Sequence, residues 1–104
     1  MAKNRLEQLQ AMMQRNPNDP FVLYGIGMEH KNGGDVAAAI DFFNRTIAAD
    51  PGYAYAYYQK GQTLELAGKL DEARQTYHSG ITAAQAKGDA HAAGEIAAAL
   101  ETLG

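Results

Sequence analysis

The sequence repeats itself at an offset of 34 residues. This offset superposes identical residues in the same order: Pro17 on Pro51, Tyr24 on Tyr58, Gly27 on Gly61, Gly34 on Gly68, Ala39 on Ala73, Ile47 on Ile81 and Ala49 on Ala83. Similar residues also align: Leu23 with Tyr57, Val36 with Leu70, and Phe43 with Tyr77. A period of a few tens of residues is typical of solenoid proteins, in which each copy is one supersecondary unit stacked on its neighbours.

Each copy has the apolar spacing of a helix hairpin. Residues at i, i+3, i+4 and i+7 share one face of a helix. In the first helices these are Leu23, Ile26, Gly27 and His30, and Tyr57, Lys60, Gly61 and Leu64, which places Tyr57 in the predicted core. The second helices present Val36, Ala39, Ile40, Phe43 and Ile47, and Leu70, Ala73, Tyr77 and Ile81. Glycine stops at Gly33-Gly34-Asp35 and Gly68-Lys69 separate the helices, and Asp35 is the expected N-cap of its helix.

Two glycines occupy equivalent positions inside predicted helices. A glycine there costs roughly 1 kcal/mol relative to alanine, so Gly27 and Gly61 need a compensating contact. We expect close approach of the second helix of the same copy. The expected neighbours are small faces at Ala39 and Ala73, with Phe43 and Tyr77 filling the space one turn further on.

These residues resemble the signature of the tetratricopeptide repeat: a large residue, an aliphatic residue followed by glycine, an aromatic, a small residue, a second aromatic and a closing proline. The first copy reads Leu23, Ile26-Gly27, His30, Ala39, Phe43 and Pro51, and the second reads Tyr57, Lys60-Gly61, Leu64, Ala73, Tyr77 and Gln85. His30, Lys60 and Gln85 depart from the pattern. The resemblance covers nearly the whole chain and implies an all-α fold of antiparallel helix hairpins, stacked as a short right-handed solenoid of about six helices.

The same offset divides residues 1–104 into the parts of a single domain. Residues 3–16 are predicted to form the second helix of an incomplete preceding repeat, because Leu9 and Met13 align with Phe43 and Ile47. The first repeat spans 18–51 and the second spans 52–87, whose last helix runs to a glycine stop at Gly88-Asp89. Residues 88–104 are predicted to form a capping helix with the apolar face Ala93, Ile96, Leu100 and Leu103.

In this family the other face of each first helix lines a concave groove that holds peptides or helices, so the resemblance implies a partner-binding surface. The matching residues are Phe21, Tyr24, Met28 and Lys31, and Tyr55, Tyr58, Gln62 and Glu65. Aromatic residues and methionine are enriched in protein interfaces. We therefore predict a protein-protein interaction module, an adaptor or scaffold that binds a protein or peptide, with an apolar or basic segment favoured. The alternative interpretation is that Phe21 and Tyr55 pack against neighbouring helices.

A second hypothesis is a self-associating structural or assembly protein. In that case the amphipathic N-terminal helix or the Ala-rich C-terminal helix pairs with a second copy, giving a homodimer.

Some tetratricopeptide domains hold the carboxyl-terminal tails of chaperones with lysines and asparagines. Here the equivalent positions carry Tyr24, Met28 and Gln59, so we predict that this carboxylate clamp is absent.

Composition argues against other functional classes. Cysteine is absent, and His30, His78 and His91 fall on different predicted helices without the i, i+4 spacing of a helical metal site. We therefore predict no enzyme, no catalytic residues, no cofactor and no metal. A net charge of −3 and a single cation, Lys31, on the aromatic stripe argue against nucleic acid as a partner. No apolar stretch approaches membrane-spanning length, so we expect no membrane partner and a cytoplasmic location.

Overall fold

Six α-helices make up most of residues 4–104, the part of the chain described by this computed structural model. They are α1 (Arg5–Arg15), α2 (Pro20–Asn32), α3 (Val36–Ala49), α4 (Ala54–Leu66), α5 (Leu70–Ala86) and α6 (Ala90–Thr102). Lys3, where the half-repeat is predicted to begin, lies outside the described residues. Each helix packs against the next, and α4 also contacts α2 and α6. The predicted all-α stack of hairpins is confirmed, in a molecule of 46 × 29 × 19 Å.

The helices α2, α4 and α5 end in the same way. Gly34, Gly68 and Gly88 adopt positive φ angles of 85°, 76° and 78°. The amide of the following residue donates a hydrogen bond to a carbonyl of the last helical turn: Asp35 to His30 at 2.9 Å, Lys69 to Leu64 at 2.9 Å and Asp89 to Ala84 at 2.8 Å. These are the six-to-one bonds of the Schellman motif, which requires a left-handed residue that glycine adopts most easily. The predicted glycine stops are therefore confirmed.

The residue after each glycine stop is also the N-cap of the next helix. Asp35 accepts a hydrogen bond from the Ala38 amide at 3.1 Å, and Asp89 accepts one from the Ala92 amide at 3.0 Å. Lys69 occupies the same position with a similar backbone, φ −95° and ψ 69° against −89° and 83° at Asp35, but makes no side-chain cap. Helix α5 thus begins without a bond that α3 and α6 share.

Lys69→Asp is expected to raise the free energy of unfolding by about 0.5–1 kcal/mol, because a carboxylate there can accept from the first turn and favours the helix dipole. Urea denaturation followed by circular dichroism measures the change. The reverse exchange, Asp35→Lys, should lower stability by a similar amount. A Lys69→Asp variant no more stable than the wild type would contradict this account of the α5 terminus.

An aromatic ring lies against the glycine of each hairpin. Phe43 on α3 and Tyr77 on α5 are fully buried. A Cβ atom built on Gly27 would lie 2.6 Å from Phe43 Cε1, and one built on Gly61 would lie 2.7 Å from Tyr77 Cδ1. Ordinary van der Waals contact between carbons needs about 3.5–4.0 Å, so neither position has room for a side chain. The close approach predicted at both glycines is confirmed.

Ala39 and Ala73 are buried, and the atoms nearest to the two glycines belong to Phe43 and Tyr77. The predicted core faces are wrong at Leu70 and Tyr57. Leu70 is the first residue of α5 and is 44% exposed. Tyr57 is half-buried, whereas its counterpart Leu23 is fully buried. Its hydroxyl donates a 2.8 Å hydrogen bond to the Pro51 carbonyl, and this polar group keeps the ring at the edge of the core.

The two terminal helices cover the ends of the stack. On α1, Leu9 is buried against Val22 and Ile26 of α2. On α6, Ile96 is buried in a cluster that includes Leu64 and Tyr77. Partly buried residues of the predicted apolar face of α6 pack on the same cluster: Ala93, Leu100 and Leu103. This apolar face is thus confirmed.

Candidate functional site

The eight residues predicted to bind a partner lie on two helices that contact each other. Helix α2 carries Phe21, Tyr24, Met28 and Lys31, and α4 carries Tyr55, Tyr58, Gln62 and Glu65. We call this set the α2–α4 face. Spacings of three and four residues keep each set on one side of its helix. Phe21 is exposed and the other seven residues are half-buried, so the face lies outside the fully buried core.

Tyr24 joins this face to the core. Its ring centroid lies 5.1 Å from that of Tyr53 and 5.9 Å from that of Phe43, both within the range of favourable aromatic pairs. Burial raises the pKa of the Tyr24 hydroxyl, Tyr53 raises it further, and a hydrogen bond with Gln59 opposes the increase. Packing by Phe43 and Tyr53 therefore orients the ring and leaves part of it accessible.

Tyr58 occupies the equivalent place in the second hairpin. Its ring meets that of Tyr77 edge-on, with centroids 6.5 Å apart and an interplanar angle of 89°. Tyr77 is the counterpart of Phe43, so both hairpins support a surface tyrosine with the buried ring of their second helix. The rings of Tyr24 and Tyr58 are thus held in one orientation by contacts with neighbouring rings.

Lys31 bridges the two helices. Its Nζ donates hydrogen bonds to Gln59 Oε1 at 2.7 Å and to Gln62 Oε1 at 3.2 Å. Burial lowers the pKa of the ammonium group. Among residues 4–104, no carboxylate forms an ion pair with Lys31. The cation is therefore held by neutral amide oxygens.

The carboxylates of this region accept hydrogen bonds from tyrosines. The Tyr77 hydroxyl donates to Glu65, and burial together with this bond raises the pKa of Tyr77. At the start of α4, the Tyr55 hydroxyl donates to Glu95 Oε1 at 3.3 Å, and the same oxygen lies 2.5 Å from His91 Nε2. Glu65 therefore supports the core ring, while Tyr55 ties α4 to α6.

The predicted binding set leaves out several residues that shape this surface. Gln59 holds Lys31, Tyr53 packs on Tyr24, and Glu95 accepts from Tyr55. Leu66 follows the face at the end of α4 and is 70% exposed. Gln59 lies four residues after Tyr55 on α4, and this spacing could have identified it. Tyr53 precedes its helix and Glu95 lies outside the two copies, so neither could be found from the 34-residue offset.

Residues 4–104 contain no group of three or more histidine, aspartate or glutamate side chains arranged to hold a metal ion. None of the helices within the same range is both long enough and apolar enough to cross a membrane.

A stack of hairpins, each with an aromatic ring packed against a helix glycine, defines a helical-repeat solenoid. Residues 42–75, from the middle of α3 into α5, match the family model for the tetratricopeptide repeat. The TPR repeat-containing protein PA0015 of Pseudomonas aeruginosa is 28% identical over 98 residues, covering 94% of this chain and 93% of that protein. A tetratricopeptide repeat domain protein from Salinibacter ruber is 30% identical, with a TM-score of 0.79 over 85% of this chain and 89% of that chain. This chain belongs to the tetratricopeptide-repeat family.

The same fold occurs at lower identity. The crystal structure of PcrH in complex with the chaperone binding region of PopD has a TM-score of 0.87 at 19% identity. The match covers 94% of this chain and 74% of the PcrH chain. This likeness shows that the fold of most of this chain is shared with a longer protein.

Proposed function

We propose that this protein is a protein-interaction module that binds a peptide or helix of a partner along the α2–α4 face. The observation that carries the proposal is the accessibility of large side chains there. Phe21 is 59% exposed, and Tyr24, Met28 and Tyr58 are half-buried, although the helices bury their other faces in the core. Aromatic residues and methionine that are held in place but accessible favour partner binding, because they bury area with little loss of conformational freedom.

The composition of the face favours an apolar segment, with basic residues towards α6. Glu95 lies at that side, beside Tyr55, and the whole chain has a net charge of −3. PcrH forms a complex with the chaperone binding region of PopD. It supports the proposal only in that a protein of this fold holds a segment of another protein.

Selection from a displayed library of random dodecapeptides tests the proposal. An enriched peptide, synthesised and titrated into isotope-labelled protein, is expected to shift amide resonances along α2 and α4. Phe21→Ser should weaken binding by about tenfold, because a large aromatic anchor is lost from an exposed site. The matched control is Leu70→Ser, which changes an exposed apolar residue at the start of α5 and should leave the dissociation constant unchanged.

Failure to enrich any peptide, or resonance shifts confined to other helices, would argue against binding along the α2–α4 face.

Self-association is the alternative function, and the exposure of Met12 favours it. This residue is 46% exposed on α1, although its counterpart Thr46 is fully buried. A dimer in sedimentation that is unchanged by Phe21→Ser and abolished by Met12→Ser would support the alternative.

A further inference from the structure

Lys31 is a partly buried cation with unused bonding capacity. An ammonium group has three N–H donors and no acceptor. Two donors are directed at Gln59 Oε1 and Gln62 Oε1, and no ion pair forms with a carboxylate of residues 4–104. Partial burial strengthens any charge interaction made there relative to one in open water. The site therefore favours an anionic group that reaches the third donor.

The surroundings of Lys31 add a second donor and an apolar contact. Lys31, Gln62, Glu65 and Leu66 line one recess at the surface. Because the Gln62 oxygen accepts from Lys31, its NH₂ group remains on the other side of the amide as a donor. Glu65 accepts a hydrogen bond from the Tyr77 hydroxyl, which stabilises its own charge. Leu66 stands 70% exposed at the edge of the recess.

We propose that Lys31 and Gln62 bind the carboxylate of an aspartate or glutamate side chain within the partner segment, with an apolar neighbour of that residue lying on Leu66. This inference rests on the proposed function, because it names one residue type of the segment bound to the α2–α4 face. It also refines the expectation of an apolar or basic ligand. The remaining segment can be apolar or basic, but one acidic residue is needed over Lys31.

An internal acidic side chain fits better than the carboxyl terminus of a partner. Exposed apolar side chains lie on both sides of Lys31. Phe21 precedes it by ten residues, or about 15 Å along α2. Leu66 lies beyond it, since Lys31 bonds to Gln59 and Gln62, which precede Leu66 on α4. A segment that covers both apolar side chains therefore continues past Lys31 in both directions.

Peptide selection on charge variants tests the inference. Random dodecapeptides enriched on the wild type are expected to contain Asp or Glu next to a large apolar residue. Lys31→Glu should remove this preference and enrich Lys or Arg at the same place. Lys60→Met is the matched control for Lys31→Met. Lys60 is also half-buried on α4, and burial lowers its pKa, but it lines a different recess with Asn44 and Gln75.

An enriched peptide then supplies a quantitative test. Replacing its acidic residue with the corresponding amide should weaken binding to the wild type and to Lys60→Met about five- to tenfold, and should not affect Lys31→Met. The peptide is synthesised with a free C-terminus and with an amidated one. Weaker binding of the amidated form would contradict the choice of an internal side chain over the carboxyl terminus. Thermal unfolding of each variant establishes that it is folded.

The possible failures are distinguishable. If the wild type enriches no peptide, the proposed function fails and the inference falls with it. If peptides bind along α2 and α4 without an acidic preference, or bind Lys31→Met with unchanged affinity, the proposed function stands and the role of Lys31 is wrong.

Discussion

Gly61→Ala is expected to lower the free energy of unfolding by about 1–3 kcal/mol, although alanine is the better helix former by roughly 1 kcal/mol. The added methyl would lie 2.7 Å from Tyr77 Cδ1 and closer still to Cε1. The ring cannot swing away, because it is fully buried, its hydroxyl is bound to Glu65, and Tyr58 packs edge-on against it. Either α4 or α5 must therefore shift. Urea denaturation measures the loss.

Gly94→Ala is the matched control for this substitution. Gly94 also lies inside a helix, α6, but apart from the adjoining residues and backbone of that helix, no atom of residues 4–104 lies within 4 Å of a Cβ built on it. Without a steric conflict, the same exchange should raise stability by about 0.5–1 kcal/mol through helix propensity and the unfolded state. Opposite signs for the two variants are the expected result. A gain in both would show that Tyr77 does not require a glycine at position 61.

The helices and their ends could be predicted because they depend on local chemistry that the chain uses more than once. A left-handed φ angle at Gly34 and Gly68 needs only a glycine at the end of a helix. The cap at Asp35 needs only a side-chain oxygen in an extended residue. These requirements are met within a few residues, so the same residue at the aligned position of the second copy predicts the same local structure.

The packing of each helix was harder to predict, because aligned residues and the helices beside them differ between the copies. Tyr57 stands where Leu23 is buried, but tyrosine has a hydroxyl, which donates to the Pro51 carbonyl and holds the ring at the edge of the core. Tyr55 repeats the position of Phe21, yet Glu95 of α6 binds its hydroxyl while Phe21 remains exposed. Sequence spacing shows which residues share a face, but it does not show what the adjoining helix places beside them.

At the candidate site too, helical spacing could be predicted from the sequence, but the contacts between helices could not. Helical spacing placed Lys31 and Gln62 on corresponding faces, and the structure joins them by a hydrogen bond. The partner that holds Lys31 most closely, Gln59, aligns with Gly25, which has no side chain. Comparing the two copies therefore gave no signal for Gln59. The hydrogen bonds from Lys31 to Gln59 and Gln62 join residues of two different repeats that do not align with each other. The 34-residue offset therefore does not predict them.

Phe43→Ala is expected to lower the free energy of unfolding by about 3–5 kcal/mol, the usual loss when a fully buried phenylalanine is truncated. Domains of this size have total stabilities of about 5–15 kcal/mol, so the variant should unfold at a much lower urea concentration. Phe42→Ala is the matched control. Phe42 is half-buried, stacks on His30 at 5.6 Å and lies beneath the Arg45 guanidinium at 4.6 Å, so its truncation should cost about 1 kcal/mol.

The decisive measurement combines Phe43→Ala with a change at the glycine it covers. In the wild type, Gly27→Ala is expected to destabilise, because its methyl would lie 2.6 Å from Phe43 Cε1. Once the ring is removed, the methyl can occupy part of the vacated space, and helix propensity favours alanine by roughly 1 kcal/mol. Gly27→Ala should therefore stabilise the Phe43→Ala variant, giving a coupling energy of about 1–3 kcal/mol in the double-mutant cycle. Additive effects would mean that the ring and the glycine act independently, and the repeated pairing of glycine with an aromatic residue would then need a cause other than close packing.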